Sequence, residues 1–503
     1  MAPEEEQAAV DPARPAVGRS PLLDRLKRAD PNWWLVAALV GTFVIVYAPL
    51  VYRRHANFAS FSWDMGIFDQ AVWLLSRGRS FITVRGLDFF GHHASYGLFL
   101  FVPFYWLGAG VQFLNLVQVL SLALGAVPVF LISRDRVGRG WIPLALAAVY
   151  LLHPALGFVS WELFHPEVMA ITPLLFAWWF AGRQRWGWFA VSVIYAVSWK
   201  EDVALAAMVL GLILAVRGRA KERRVGIITA VAALAWFVVV TRVLLPAIAG
   251  EAFYGQLYKG IGSTPGNIVS GAVDDPGNIT SRLANDEART YLWQLLVPFG
   301  FIPALAPASL IAVPQLLANL LSDYVWTRQI TFHYVAVPIA ALTLGAVEGV
   351  AWLGRRLGAT PALVAAMLVC ALVGAVQWGV SPIGREYDSG YWGYETVGLD
   401  AKREAIAMIP PGEPTSASYF LVPHLTHRPQ LYEYPNPFRS SGWGIRDRDP
   451  HDPADVKWIV IDRQSLGAED SSMFDALVAS GEFRVRFSEA DVIVAERVRL
   501  TKG

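Results

Sequence analysis

Apolar runs of membrane length recur through the first 380 residues of this chain, joined by short turns in which arginine predominates. About 20 apolar residues cross a bilayer as a helix, the form that pairs every backbone N–H and C=O within the segment. With 55% hydrophobic and 17% charged residues among 503, and a mean hydropathy of +0.40, an ordinary soluble domain is excluded. The 20 Trp and 17 Tyr suit a protein with two long water–lipid interfaces. A net charge of +1 implies no nucleic-acid partner. The single cysteine, Cys370, lies in an apolar run, so no intrachain disulfide can form.

Basic turns orient the chain, because Lys and Arg are retained on the cytoplasmic side. Arg25, Lys27 and Arg28 precede the first run and hold that end inside. Residues 1–32 are acidic, then rich in Pro, Ala and Arg, without the apolar core or cleavage site of a signal peptide; the expectation is a disordered cytoplasmic tail. Inside turns follow at 134–140, at Arg183 and Arg185, at 217–224 and at Arg355 and Arg356. Spans then fall near 33–52, 111–133, 141–157, 168–182, 187–199, 203–216, 225–246, two within 291–322, 334–353 and 360–381, about eleven in all. Segment 97–108, broken by Pro103, reads as a re-entrant or interfacial helix within an outer loop at 53–110. A second outer loop, 247–290, is rich in Gly, Pro, Asn and Asp, as lids and mobile segments are.

Beyond residue 382 the composition turns to charged, amphipathic patterns. Helices are expected at 400–409 and 475–479, strands at 414–418, 429–434 and 456–462, and a hairpin at 483–498. The expected fold is therefore mainly α: a polytopic membrane domain, 33–382, followed by a small α/β extracytoplasmic domain, 383–503.

The orientation, set from basic residues alone, gathers acidic residues and histidines on one side. Asp64, Asp69, Asp88, His92, His93, Glu162, His165, Glu167, Glu201, Asp202, Asp323 and His333 all fall outside, and of nine histidines only His153 lies in a span. Ionisable groups gathered beside a bilayer point to chemistry there. Asp64 and Asp69 are five residues apart, so on one helix they diverge by about 140°. They are not a carboxylate pair by default. Asp64 precedes the helix, where its structural role is an N-cap. Lys200 at a span end reads either as a snorkelling anchor or as an anion clamp. Glu162 and His165, at i, i+3, would share a face on a helix and, with Asp64, are a candidate site for a divalent cation, Mg or Mn.

The runs D-M-G-I-F-D-Q-A-V-W-L-L-S-R-G-R (64–79), G-H-H-A-S (91–95), F-V-P-F-Y (101–105), F-H-P (164–166), W-K-E-D (199–202), F-H-Y (332–334) and P-H-L-T-H-R (423–428) resemble the DUF2079 family of polytopic bacterial membrane proteins. That family looks like a branch of the GT-C glycosyltransferases, whose first outer loop carries an essential acidic residue before an amphipathic helix. The resemblance puts Asp64 at that position, as base. Where the superfamily often has a second adjacent acid, this chain has Met65. It implies transfer of a sugar from a polyprenyl-phosphate donor to a cell-envelope glycan or protein, on the outer face of the bacterial plasma membrane. Arg85, Lys200, Arg328, His333 and Tyr334 become candidate phosphate contacts, with Asp69, His92, His93, Glu162, His165 and Glu201 as supporting polar residues. Two rivals stand beside this reading: a transporter or flippase of a lipid-linked or polar solute, and a non-catalytic envelope assembly factor.

Overall fold

The apolar runs fold as helices, but their lengths are uneven. The computed structural model describes residues 31–250, 257–262, 265–390, 396–444 and 452–498; the expected tail lies outside them apart from its last two residues. Among the described residues, five helices are long and apolar enough to cross a membrane: Asn32–Ala56, Val111–Val137, Ala220–Ala249, His333–Leu357 and Thr360–Trp378. Trp141–Leu152 and Pro154–Trp161 make a sixth when taken as one span bent by 50°. The bend follows from Pro154, which disfavours helical geometry at the residue before it; His153 is extended there (ψ 122°).

The remaining expected crossings are shorter. Trp186–Val197 has 12 residues and Val203–Arg217 has 15. Region 291–322 is not two clean spans. Helix Asp286–Leu296 gives way to 3-10 turns at Val297–Phe299, Ile302–Leu305 and Pro307–Ala312 before Val313–Leu321. Each turn has a proline in its first two positions, without an amide to donate, and Gly300 and Phe301 are both left-handed. The expected loop 247–290, where described, contains helices Pro265–Asp274 and Pro276–Ala284. Segment 96–106 forms short helical turns that leave Phe99, Leu100, Phe104 and Trp106 exposed.

Strands β1 (Phe81–Ile82) and β2 (Leu87–Asp88) form a small antiparallel ribbon. The C-terminal sheet contains β3 (Thr415–Ala417), β4 (Leu431–Glu433), β5 (Trp458–Asp462), β6 (Phe483–Glu489) and β7 (Val492–Arg497), in the order β4-β3-β5-β7-β6. β3 runs parallel to β4 and β5, and β7 antiparallel to β5 and β6. Helix Leu399–Met408 is tied to the sheet by Lys402 Nζ on Asp462 Oδ2 at 2.7 Å.

The sheet does not stand apart from the membrane part. Met65, Phe68 and Val72 share one apolar core with Ala405, Leu421, Val422, Val460 and Val494. Trp443 lies over the β1–β2 turn at Gly86, where φ is +66° and an added Cβ would fall 2.0 Å from the indole. Left-handed backbone costs a non-glycine residue about 1–2 kcal/mol, and overpacking about 1–3 more. Gly86→Ala is therefore expected to destabilise by about 2–5 kcal/mol, whereas Gly78→Ala, with φ +71° and open space around it, should show only the backbone cost. Unfolding of the two variants in detergent measures the difference; equal losses would remove the role assigned to Trp443.

Candidate functional site

The stretch that follows the first long helix begins as a single π-helical turn, Ser62–Gly66, and continues as helix Ile67–Leu75. Asp64 lies in that wider turn and makes no side-chain cap, so the N-cap role is not the one it takes. Its Oδ1 stands 3.2 Å from His165 Nε2. The other ring nitrogen of His165, Nδ1, is 2.8 Å from the Leu163 carbonyl, to which it donates; the ring orientation is thereby set. Gln118, from helix Val111–Val137, fixes the backbone around it. Its amide donates to the Val159 carbonyl and its carbonyl accepts from His165 N–H at 2.8 Å.

From His165 a chain of ionisable groups continues inward. The His333 ring stacks on it with centroids 3.6 Å apart. His333 Nδ1 is 3.3 Å from Glu162 Oε1, and its Nε2 is 3.4 Å from Glu167 Oε1. Glu167 Oε1 takes a 2.6 Å bond from Lys200 Nζ, both side chains being buried. Beside it, Glu201 accepts from the Ala94 amide at 2.9 Å and meets His93 Nδ1 at 3.0 Å. Glu162, His165 and His333 each offer a ligand atom within 4.8 Å of the others'. Glu162 Oε2 is buried with no hydrogen-bond partner among the described residues.

Burial dominates the electrostatics. It raises the Glu162 carboxyl to about 8, against the pull of His165. It would lower His165, but Asp64 and Glu162 outweigh it and hold the imidazole up at about 9. Burial, the largest single effect, pushes the Glu167 carboxyl up, but Lys200, His333 and His165 together outweigh it, and the net direction is down. Lys200 is held above its ordinary value by Glu167 and Asp202 despite its burial.

On sequence, residues 54–494 match the family described as Predicted membrane protein (DUF2079). The chain belongs to this family. A search of curated proteins finds no match. Among solved structures, the fold is similar to ArnT from Cupriavidus metallidurans. The crystal structure bound to undecaprenyl phosphate aligns with a TM-score of 0.53 at 14% identity, over 93% of this chain and 99% of that one. The apo structure aligns with a TM-score of 0.56 at 13% identity, over the same shares.

Not every residue singled out in this DUF2079 member joins the cluster. Asp64, Glu162, His165, Lys200, His333 and Tyr334 do, Tyr334 through its ring 5.9 Å from Lys200 Nζ. His93 and Glu201 flank it, and the His92 ring lies 4.2 Å from that of His93. Asp69 turns elsewhere. It is 1% exposed, accepts from Tyr105 at 2.5 Å and from the Thr426 hydroxyl, and meets His427 Nε2 at 3.2 Å. It therefore ties the helix to the P-H-L-T-H-R segment. Arg85 stacks over Trp63 at 3.8 Å and donates to the Gly442 carbonyl. Arg328 donates to the Ser322 carbonyl and pairs with Glu287 at 2.8 Å. Two participants had not been selected as site residues. Gln118 left no signal in an apolar run. Glu167 did, since W-E-L-F-H-P-E repeats an acid across the same His-Pro turn.

Lys200 does not snorkel. It is buried and paired, and an uncompensated buried charge costs about 3–5 kcal/mol. Lys200→Met alone is expected to lose that amount in detergent unfolding, and Lys200→Met with Glu167→Leu to recover most of it. A single variant as stable as the wild type would mean that the pair is hydrated.

Proposed function

We propose that this protein is a glycosyltransferase that moves a sugar from a polyprenyl-phosphate donor to a hydroxyl of a cell-envelope glycan or protein. In this reading the chain is multi-pass in the bacterial plasma membrane, with its N-terminus cytoplasmic and its polar face and C-terminal sheet on the outer side. The observation that carries the reading is the Asp64 carboxylate held 3.2 Å from an oriented imidazole at the end of an ArnT-like helical fold. The neighbour's capture of undecaprenyl phosphate supports a lipid of that class as the donor's carrier.

Asp64 takes the proton of the acceptor hydroxyl. The acceptor oxygen bonds to the anomeric carbon, the bond from that carbon to the phosphate oxygen breaks, and polyprenyl phosphate leaves with the bonding pair. His165 positions Asp64. Lys200, His333 and Tyr334 are the cluster's groups for the departing phosphate, and Lys200 must share its charge between Glu167 and that phosphate. Arg85 and Arg328 already have protein partners, which leaves them secondary in this assignment.

The reading also includes a divalent cation, held by Glu162, His165 and His333. One carboxylate and two imidazoles suit zinc-like ions better than Mg, which favours oxygen ligands. The donation from His165 Nδ1 to a carbonyl is the outer contact that metal-binding histidines use, and it leaves Nε2 as the ligating atom, so the ion would replace the Nε2–H contact with Asp64. When bound, such an ion would stabilise negative charge on the leaving phosphate.

Two measurements test these assignments. With a panel of polyprenyl-phosphate sugars and envelope acceptors, Asp64→Asn is expected to slow release of polyprenyl phosphate by about 10²–10⁴-fold without changing the unfolding temperature. Full activity in that variant would end the assignment. Elemental analysis of protein purified without chelator should find about one zinc-like ion per chain, lost in His333→Gln; no bound metal in the wild type would remove the cation from the reading.

A further inference from the structure

A second cavity opens directly behind the ion chain. It has a volume of about 740 Å³, enough for a ligand of one or a few sugar rings, and Glu162 forms part of its wall. Through Glu162 it reaches His333, and through the stacked His165 it reaches Asp64. Its apolar walls include Phe61, Trp161 and Trp378. Aromatic faces combined with convergent carboxylates and amides are suited to a hydroxyl-rich ring, whose C–H face stacks while its O–H groups donate.

The charges of this cavity are unevenly matched. Exposed carboxylates line it at Asp286, Glu287 and Glu386, besides the Glu162 carboxyl that burial shifts toward its neutral form, against guanidiniums at Arg54 and Arg328. Arg328 is paired with Glu287 at 2.8 Å and donates to the Ser322 carbonyl. Arg54 donates to the carbonyls of Ala59 and Trp161 and stacks on the Trp161 ring at 4.2 Å. Both arginines are thus turned toward the protein. Asp286 and Glu386 remain at the exposed rim, Asp286 sharing a solvent-exposed pair with Arg289. An anionic ligand entering here meets carboxylates before it meets a free cation, and like-charge contact opposes it.

We infer that this cavity receives the glycosyl group of the donor and selects a neutral or positively charged sugar over an acidic one. This rests on the glycosyltransferase reading and specifies its substrate class. The phosphate then stays on the Lys200 side of His333, and the sugar occupies the Glu162 side.

The test uses the full chain in detergent and three lipids with one polyprenyl phosphate in common: the bare phosphate, its glucosyl ester and its glucuronosyl ester. Binding is read by native mass spectrometry and by thermal shift. The glucosyl lipid is expected to bind at least about tenfold more tightly than the glucuronosyl lipid, a difference of about 1.4 kcal/mol. In Asp286→Asn with Glu386→Gln, two exposed positions that folding tolerates, the preference should shrink several-fold. Equal or tighter binding of the glucuronosyl lipid overturns the inference and leaves the transferase reading standing. Binding of bare phosphate with no gain from either sugar also overturns it. No binding of any of the three lipids sinks the transferase reading itself, and this inference with it.

Discussion

The site depends on one constraint: a lysine and a glutamate are buried together and cannot be left unpaired. Lys200 and Glu167 meet at 2.6 Å with little exposure on either side. Moving either charge out of water costs several kcal/mol, which close approach alone barely offsets. The surrounding groups complete the compensation. His333 lies 3.4 Å from Glu167, and Asp202 lies 3.7 Å from Lys200. The pair thereby fixes where three chain segments meet: the 161–167 turn, the 199–202 turn and the start of helix His333–Leu357. Asp64 approaches this assembly from a fourth segment and touches only its outer member, His165. It is 25% exposed, while the partners behind it are nearly dry, which suits a group that must meet an incoming molecule.

A second buried carboxylate organises the other side of the same stretch. Asp69 accepts from Tyr105 and Thr426 and meets His427, with Tyr105 supplied by the interfacial segment and the others by the C-terminal part. Around it lies the apolar core shared by helix Ile67–Leu75 and the sheet. The helix therefore has two functions along its length: its entrance presents Asp64 to the ion chain, and its body holds the C-terminal sheet in place. A displacement of the sheet would be transmitted to Asp64 through five residues of backbone, a route by which the C-terminal segment could influence the site.

Much of this was readable from local pattern. Apolar runs marked the helices at 111–137, 333–357 and 360–378, and short runs rich in β-branched residues marked β5 and β7, because both signals are written in adjacent residues. The 140° separation correctly divided Asp64 from Asp69 for the same reason. Where helix length was set by prolines and left-handed residues, as in 297–312, the apolar count did not show the breaks. Long-range partners were not legible. Thr426 lies 357 positions from Asp69, and nothing local to either residue specifies the other. Lys200 was ambiguous because snorkelling and burial differ only in what stands opposite, and the opposing residue, Glu167, sits 33 positions away.

The geometry around Asp64 also bears on the kind of transition state it could serve. The His165 imidazole, 3.2 Å from Oδ1, fixes which way that carboxylate faces. Glycosyl transfer does not require a strongly basic group there. Its transition state resembles an oxocarbenium ion, in which the leaving group has largely departed before the acceptor oxygen commits its proton. In the proposed reaction a carboxylate with a fixed orientation would serve twice: its negative charge would stabilise the cationic ring carbon early, and it would accept the proton late, once the hydroxyl has become acidic by bonding. Orientation matters more than basicity in such a site, and orientation is what His165, anchored by the Leu163 carbonyl and backed by Gln118, provides.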